Sequence, residues 1–170
     1  ANDHLVVGKT TVQLSNLSKI YWPDKKITKE MLIGYYQEIA AYILPFLKDR
    51  PQSLKRNPNG ILDKGFFQKN AGDNVPFFVQ TFQAHATSTN KDVDYIVCNN
   101  KATLAYINNL GCIEINPWHS TTKKPDHPDY LLIDIDPSAK NNYDDVVEVA
   151  LAFKKLLDIA RITGYCKTSG

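Results

Sequence analysis

The chain has 170 residues with 20 Lys and Arg against 18 Asp and Glu, enough for one domain burying roughly two thirds of its unfolded surface, and too balanced in charge to name a partner. No apolar run approaches the ~18 residues of a transmembrane helix, and the start ANDHLVVGKT lacks a signal peptide's basic and apolar regions, so the chain reads as cytoplasmic. Cys98, Cys112 and Cys166 are widely spaced without a CxxC pair, which argues against a disulfide framework or a zinc site and for buried thiols.

In chain order, the first informative stretch is SKIYWPDKKITK, where Lys19, Lys25, Lys26 and Lys29 surround a turn at Pro23. A helix is predicted from an N-cap at Thr28, with Leu32, Tyr35, Tyr36, Ile39, Ala40 and Ile43 on one face and an end near Pro45. Lys29 falls in the first turn, where the helix dipole disfavours a cation but the free amides would welcome a phosphate. A solvated basic loop is the other reading. Strands are predicted over 53–56 and 66–69. There SLKRNPNG and GFFQKN gather Lys55, Arg56, Phe66, Phe67 and Lys69, cations for phosphates and flat faces for unstacked bases. The alternative puts one phenylalanine in the core and the lysines in solvent.

A strand over 93–98, a helix over 102–109 closed by Gly111 and a strand over 112–116 come next. The polar segment STTKKPDHP, 120–128, reads as a loop within the domain. A strand over 130–136 leads to a helix that begins near Asp144 and Asp145, carries Val146, Val149, Ala150, Phe153, Leu156 and Leu157 on one side, and has Lys154 and Lys155 toward its end. The closing GYCKTSG reads as another short strand. It ends at Gly170 where a turn would lead onward, so the chain is expected to be cut from something longer. The order of elements, without regular βαβ repeats, predicts an α+β fold with a mixed or antiparallel sheet flanked by helices, residues 1–170 forming part of one domain.

LLIDIDPSAK, 131–140, sets two like charges one residue apart. In a strand Asp134 and Asp136 share a face, their Cα atoms about 6.6–7 Å apart, with Tyr130 and Leu132 on that face and Ile133 and Ile135 turned into a core. Two convergent carboxylates suit a hard divalent cation; equally, an Asp-x-Asp-Pro at a strand end can be an Asx turn capping backbone amides. His4, His85, His119 and His127 have no HxxxH spacing and point to structure rather than metal.

The motifs LSKIYWP, ITKEMLIGYYQEIA, RPQSLKRNPNG, GFFQKN, LGCIEINPW, PDYLLIDIDP and KTSG, in this order, resemble the polymerase domain of bacterial DNA ligase D. That domain belongs to the archaeo-eukaryotic primase superfamily and serves nonhomologous end joining. The resemblance implies a primase-like fold and a nucleotidyltransferase that uses Mn²⁺ or Mg²⁺ to add nucleoside triphosphates, ribonucleotides preferred, to a primer 3′-hydroxyl at a DNA break. It makes Asp134 and Asp136 the catalytic metal ligands, and Lys19 and Lys29 ligands of the downstream 5′-phosphate. Phe66 and Phe67 become stacking aromatics near the template, and Lys55, Asn116 and Ser169 nucleotide contacts. Asn116 departs from the family's usual histidine. The family's Thr-Ser-Gly leads on to a phosphate-contacting histidine and a third metal-binding aspartate, whereas this chain stops at Thr168, Ser169 and Gly170. The piece alone is therefore expected to be inactive, and the intact protein to work at the nucleoid with DNA ends, a ligase domain and an end-binding repair protein as partners. A noncatalytic module that binds DNA ends through the 5′-phosphate is the alternative.

Overall fold

The computed structural model describes residues 3–86 and 90–167. The chain divides into two compact units, 1–130 and 131–170.

The first unit begins with a hairpin of β1 (Asp3–Val7) and β2 (Thr10–Leu14), turned by Gly8 at φ 61°. A second, tight hairpin pairs β3 (Ile20–Trp22) with β4 (Ile27–Thr28) across a 3₁₀ turn at Pro23–Lys25. Helix α1 (Lys29–Glu38) starts where Thr28 Oγ1 accepts a hydrogen bond from the Met31 amide at 3.3 Å, as the N-cap reading expects. The single predicted helix is in fact two. The chain breaks at Ile39 and resumes as α2 (Ala40–Leu47), which contains Pro45 rather than stopping at it. A proline late in a short helix deprives only one carbonyl of its donor, which the chain tolerates for half a turn more.

Strand β5 (Gln52–Arg56) lies between β6 (Phe66–Gln68) and β9 (Cys112–Pro117), both antiparallel to it. Strands β7 (Gln80–Ala86) and β8 (Lys91–Val97) form a long hairpin that bridges to the β5 side at Pro51 and Val97. Between β8 and β9 runs α3 (Lys101–Asn109), capped by Asn100, whose Oδ1 accepts from the Thr103 amide at 2.8 Å. Leu54, Val79, Ile96, Cys98, Leu104, Ile107 and Cys112 make the main core. Val12, Leu14, Ile33, Ala102 and Ala105 form a second one under the first hairpin. Every named strand pair is antiparallel, in keeping with the predicted α+β class.

The 120–128 segment has no helix or strand and is fixed at both ends. Arg50, 8% exposed, reaches the Asp129 carboxylate at 2.7 Å and the Trp118 carbonyl at 3.2 Å, with its guanidinium 4.7 Å above the Tyr130 ring. That pairing holds the Asp129 carboxyl below the usual range. His119 packs against Tyr130 at 4.9 Å, a structural role as its sequence context suggested.

The second unit departs further from expectation. Residues 131–138 form neither helix nor strand, and Ile133 is 38% exposed rather than buried. A strand exists through its ladder of interstrand hydrogen bonds, and no described strand pairs with this segment. Asp134 and Asp136 are therefore not held on one face by a pleat. Of the short strand expected in GYCKTSG, the described residues 164–167 form none and the rest lies outside the described residues; Cys166 is exposed while Cys98 and Cys112 are buried. Helix α4 (Tyr143–Ile159) is present, opened by a capping box of Asn142 and Asp145.

One turn is intolerant of any side chain. Gly111, at φ +85°, would place a Cβ 2.9 Å from the Pro58 Cα. We expect Gly111→Ala to lower the unfolding free energy by about 2–4 kcal/mol in urea titration.

Candidate nucleic-acid and nucleotide site

Lys19 and Lys29 are ten positions apart in sequence but adjacent in space, because the β3–β4 hairpin closes with the Lys29 amide on the Lys19 carbonyl at 2.8 Å. Both line a cavity of about 290 Å³ together with Arg56, Ser15, Tyr21 and Leu110. Each cation is held. Lys19 Nζ donates to Asn59 Oδ1 at 2.6 Å, and Asn59 in turn donates to Asp63 at 2.8 Å. Lys29, 3% exposed, donates to the Ser15 carbonyl at 2.6 Å. Arg56 donates to the Leu110 carbonyl and to Gln68 Oε1, both at 2.6 Å, and lies 5.2 Å from the Phe66 ring centre. Burial, with Lys19 and Arg56 adding repulsion, pulls the Lys29 ammonium down to about 8. Three cations around one cavity with no carboxylate on its wall are arranged for an anion.

The sheet register assembles a different group. Lys55 sits opposite Phe67 on one side and Glu114 on the other, and Ser53 opposite Asn116, so Lys55, Phe67 and Asn116 share one face. Lys55 is already engaged, its Nζ 2.8 Å from Glu114. Phe66 is on the opposite face with Arg56. Phe66 and Phe67 are 48% and 63% exposed, so neither belongs to the core, contrary to the bland alternative. Their apolar rings in solvent are open to stacking. Ser169 lies outside the described residues.

In the second unit Asp134 and Asp136 form no hydrogen bond or ion pair among the described residues. The turn after them is closed by others: Ser138 and Asn141 bond to each other at 2.6 Å, and Asn142 with Asp145 caps α4. The Asx-turn reading of Asp-x-Asp-Pro thus fails, and two carboxylates remain whose oxygens suit a hard divalent cation. Among the described residues no group of three His, Cys, Asp or Glu is assembled for a metal. No described helix is long and apolar enough to cross a membrane.

Sequence reading missed Ser15, Asn16, Tyr21 and Asn109 as cavity components, and read Arg56 as a phosphate cation without placing it beside Lys19 and Lys29. Arg56 carried a signal, its place beside Lys55 in LKRNPNG, but Tyr21 reads as an ordinary strand aromatic and Ser15 acts through its backbone.

The family model of the LigD primase-polymerase domain matches residues 28–170. The bifunctional non-homologous end joining protein LigD of Bacillus subtilis is 36% identical over 159 residues, covering 94% of the chain and 25% of that protein. The multifunctional LigD of Mycolicibacterium smegmatis is 25% identical over 161 residues, covering 94% of the chain and 21% of that protein. The chain thus spans about a quarter of these curated relatives. Among solved structures, the polymerase domain from Mycobacterium tuberculosis ligase D in complex with DNA superposes with a TM-score of 0.72 at 22% identity, over 88% of this chain and 54% of that one, a likeness of fold.

The depressed Lys29 pKa makes a stability prediction. Between pH 8 and 10.5 the unfolded chain holds the Lys29 proton more tightly than the folded one, so folding gains as pH rises through that window. Below pH 8 the cost of burying the charge is fully present. In denaturant titrations at pH 7, 8, 9 and 10, wild type is expected to gain on Lys29→Met steadily above pH 8; a constant difference would refute the assignment.

Proposed function

Because the chain belongs to the LigD primase-polymerase domain family, we propose that it carries the primer-end and nucleotide-handling part of an end-joining polymerase, a nucleotidyltransferase that extends a 3′-hydroxyl at a DNA break and recognises the downstream 5′-phosphate. The observation that carries this reading is the cavity of Lys19, Lys29 and Arg56, three fixed cations around a volume suited to a terminal phosphate. Lys19 and Lys29 serve as its ligands. Phe66 and Phe67, exposed on the neighbouring β6, supply stacking surfaces for template bases, and Lys55 with Asn116 and Ser169 handle the incoming triphosphate. Lys55 would exchange its Glu114 partner for phosphate oxygens, a charge already in place for the purpose.

Asp134 and Asp136 would hold Mg²⁺ or Mn²⁺, supported by their unengaged carboxylates. Such an ion, when bound, neutralises charge that develops on the reacting phosphate. The chain's own part is to orient the triphosphate through Lys55 and Asn116 and to anchor the downstream end, so that the primer hydroxyl meets the α-phosphate in line. A preference for ribonucleotides, an attached ligase domain, an end-binding repair protein as partner and action at the nucleoid belong to the same proposal. A second reading, a noncatalytic module that binds 5′-phosphorylated ends, is favoured by one observation: the basic cavity is assembled within the first unit.

Two measurements on the full-length protein separate these. Asp134→Ala is expected to cut primer extension by at least about a thousandfold while leaving affinity for gapped DNA within about twofold; normal extension would remove the catalytic assignment. Combined Lys19→Ala and Lys29→Ala is expected to abolish the preference for a gap with a 5′-phosphate over one with a 5′-hydroxyl, read by fluorescence anisotropy.

A further inference from the structure

The cavity wall contains a polar group besides the cations, the Tyr21 hydroxyl. Tyr21 lies on β3 and is 1% exposed, yet its hydroxyl has no hydrogen-bond partner among the described residues. The ring is buried, but the hydroxyl is not among the sealed-off unpartnered polar atoms of the described residues, so it is open to a ligand in the cavity. The ring is also well fixed. The Ile61 amide donates to the Tyr21 carbonyl at 2.9 Å, and the Gly60 turn at φ +94° packs so close that a Cβ there would sit 2.9 Å from the same oxygen. On the far side, a Cβ at Gly111 would come within 3.1 Å of the Tyr21 hydroxyl, so a residue with no side chain keeps the space around that hydroxyl open. The backbone thus holds the ring and leaves its polar tip beside the cavity wall at Leu110.

We propose that the Tyr21 hydroxyl is a neutral donor to the bound 5′-phosphate, a specificity-determining contact added to the cations of the cavity. This rests on the phosphate reading of that cavity. Lys19, Lys29 and Arg56 attract any anion, including the backbone phosphodiesters that every nucleotide carries. A terminal monoester differs in presenting three unesterified oxygens, one more than a diester. A fourth donor on the same cavity wall reaches that extra oxygen, so it distinguishes the end of a strand from its interior. Burial pushes the Tyr21 phenol above its ordinary value, with Arg56 pulling the other way, which keeps the group an O–H donor through the physiological range.

Tyr21→Phe removes the oxygen alone and leaves the ring. Affinities of the full-length protein for gapped duplex with a downstream 5′-phosphate or 5′-hydroxyl would be measured for wild type, Tyr21→Phe and the Lys19→Ala/Lys29→Ala pair, together with thermal unfolding of each free protein. The expected result is a loss of about tenfold in the phosphate-to-hydroxyl preference of Tyr21→Phe, with affinity for the hydroxyl end and the melting temperature both unchanged. A Tyr21→Phe protein that keeps the wild-type preference, while the lysine pair loses it, would overturn the Tyr21 assignment and leave the phosphate cavity standing. A wild type with no preference would overturn the phosphate reading itself and this inference with it.

Discussion

The alternation of β5 is the constraint on which the first unit depends. Its five residues face two ways, and each face is committed: Leu54, 1% exposed, is in the core, Lys55 points to the opposite surface, and Arg56 returns to the core side at the strand's end to meet the basic cavity. A slip of one residue would bury Lys55 and expose Leu54. The pairings with β6 and β9 on either side fix the register against such a slip, and they bring Phe67, Glu114 and Asn116 to the Lys55 face in the same step. Core formation and site formation are therefore one event here.

Gathering Lys19, Lys29 and Arg56 works against stability, because like charges repel and Lys29 is almost wholly buried. The fold offsets this with carbonyls and amides rather than carboxylates. Ser15 and Leu110 offer backbone oxygens, and Asn59 and Gln68 offer side-chain ones. Neutral acceptors orient a cation without cancelling its charge, which leaves the field available to a ligand. Lys55 is treated differently, being paired with the Glu114 carboxylate.

Much of this was legible in the sequence where local physics decides. Thr28 as N-cap, the helix behind it, Gly111 as a left-handed stop and the strands at Lys55, Phe66 and Cys112 follow from residue type and spacing. Strand β7 was not legible, since QTFQAHA has weak β propensity and is held by its pairing with β8. The expected strand at Asp134 failed for the converse reason, an apolar run with good propensity but no described partner. Lys29 was read correctly as misplaced for its helix, but its acceptor is the Ser15 carbonyl, which no side-chain pattern announces. The Tyr21 hydroxyl was invisible because what singles it out is a missing partner.

The latch of Arg50 on Asp129 joins residues 79 positions apart. Seen as polymer physics, that contact and the β5–β9 ladder close long loops of chain, and their entropy is lost before either contact repays it. Folding of the first unit is then governed by distant closure rather than by its helices. Since β5 carries both the cavity's arginine and the lysine face, an unclosed chain holds neither half of the site. Nascent or partly unfolded protein therefore presents neither the three-cation cavity nor the lysine face in finished form.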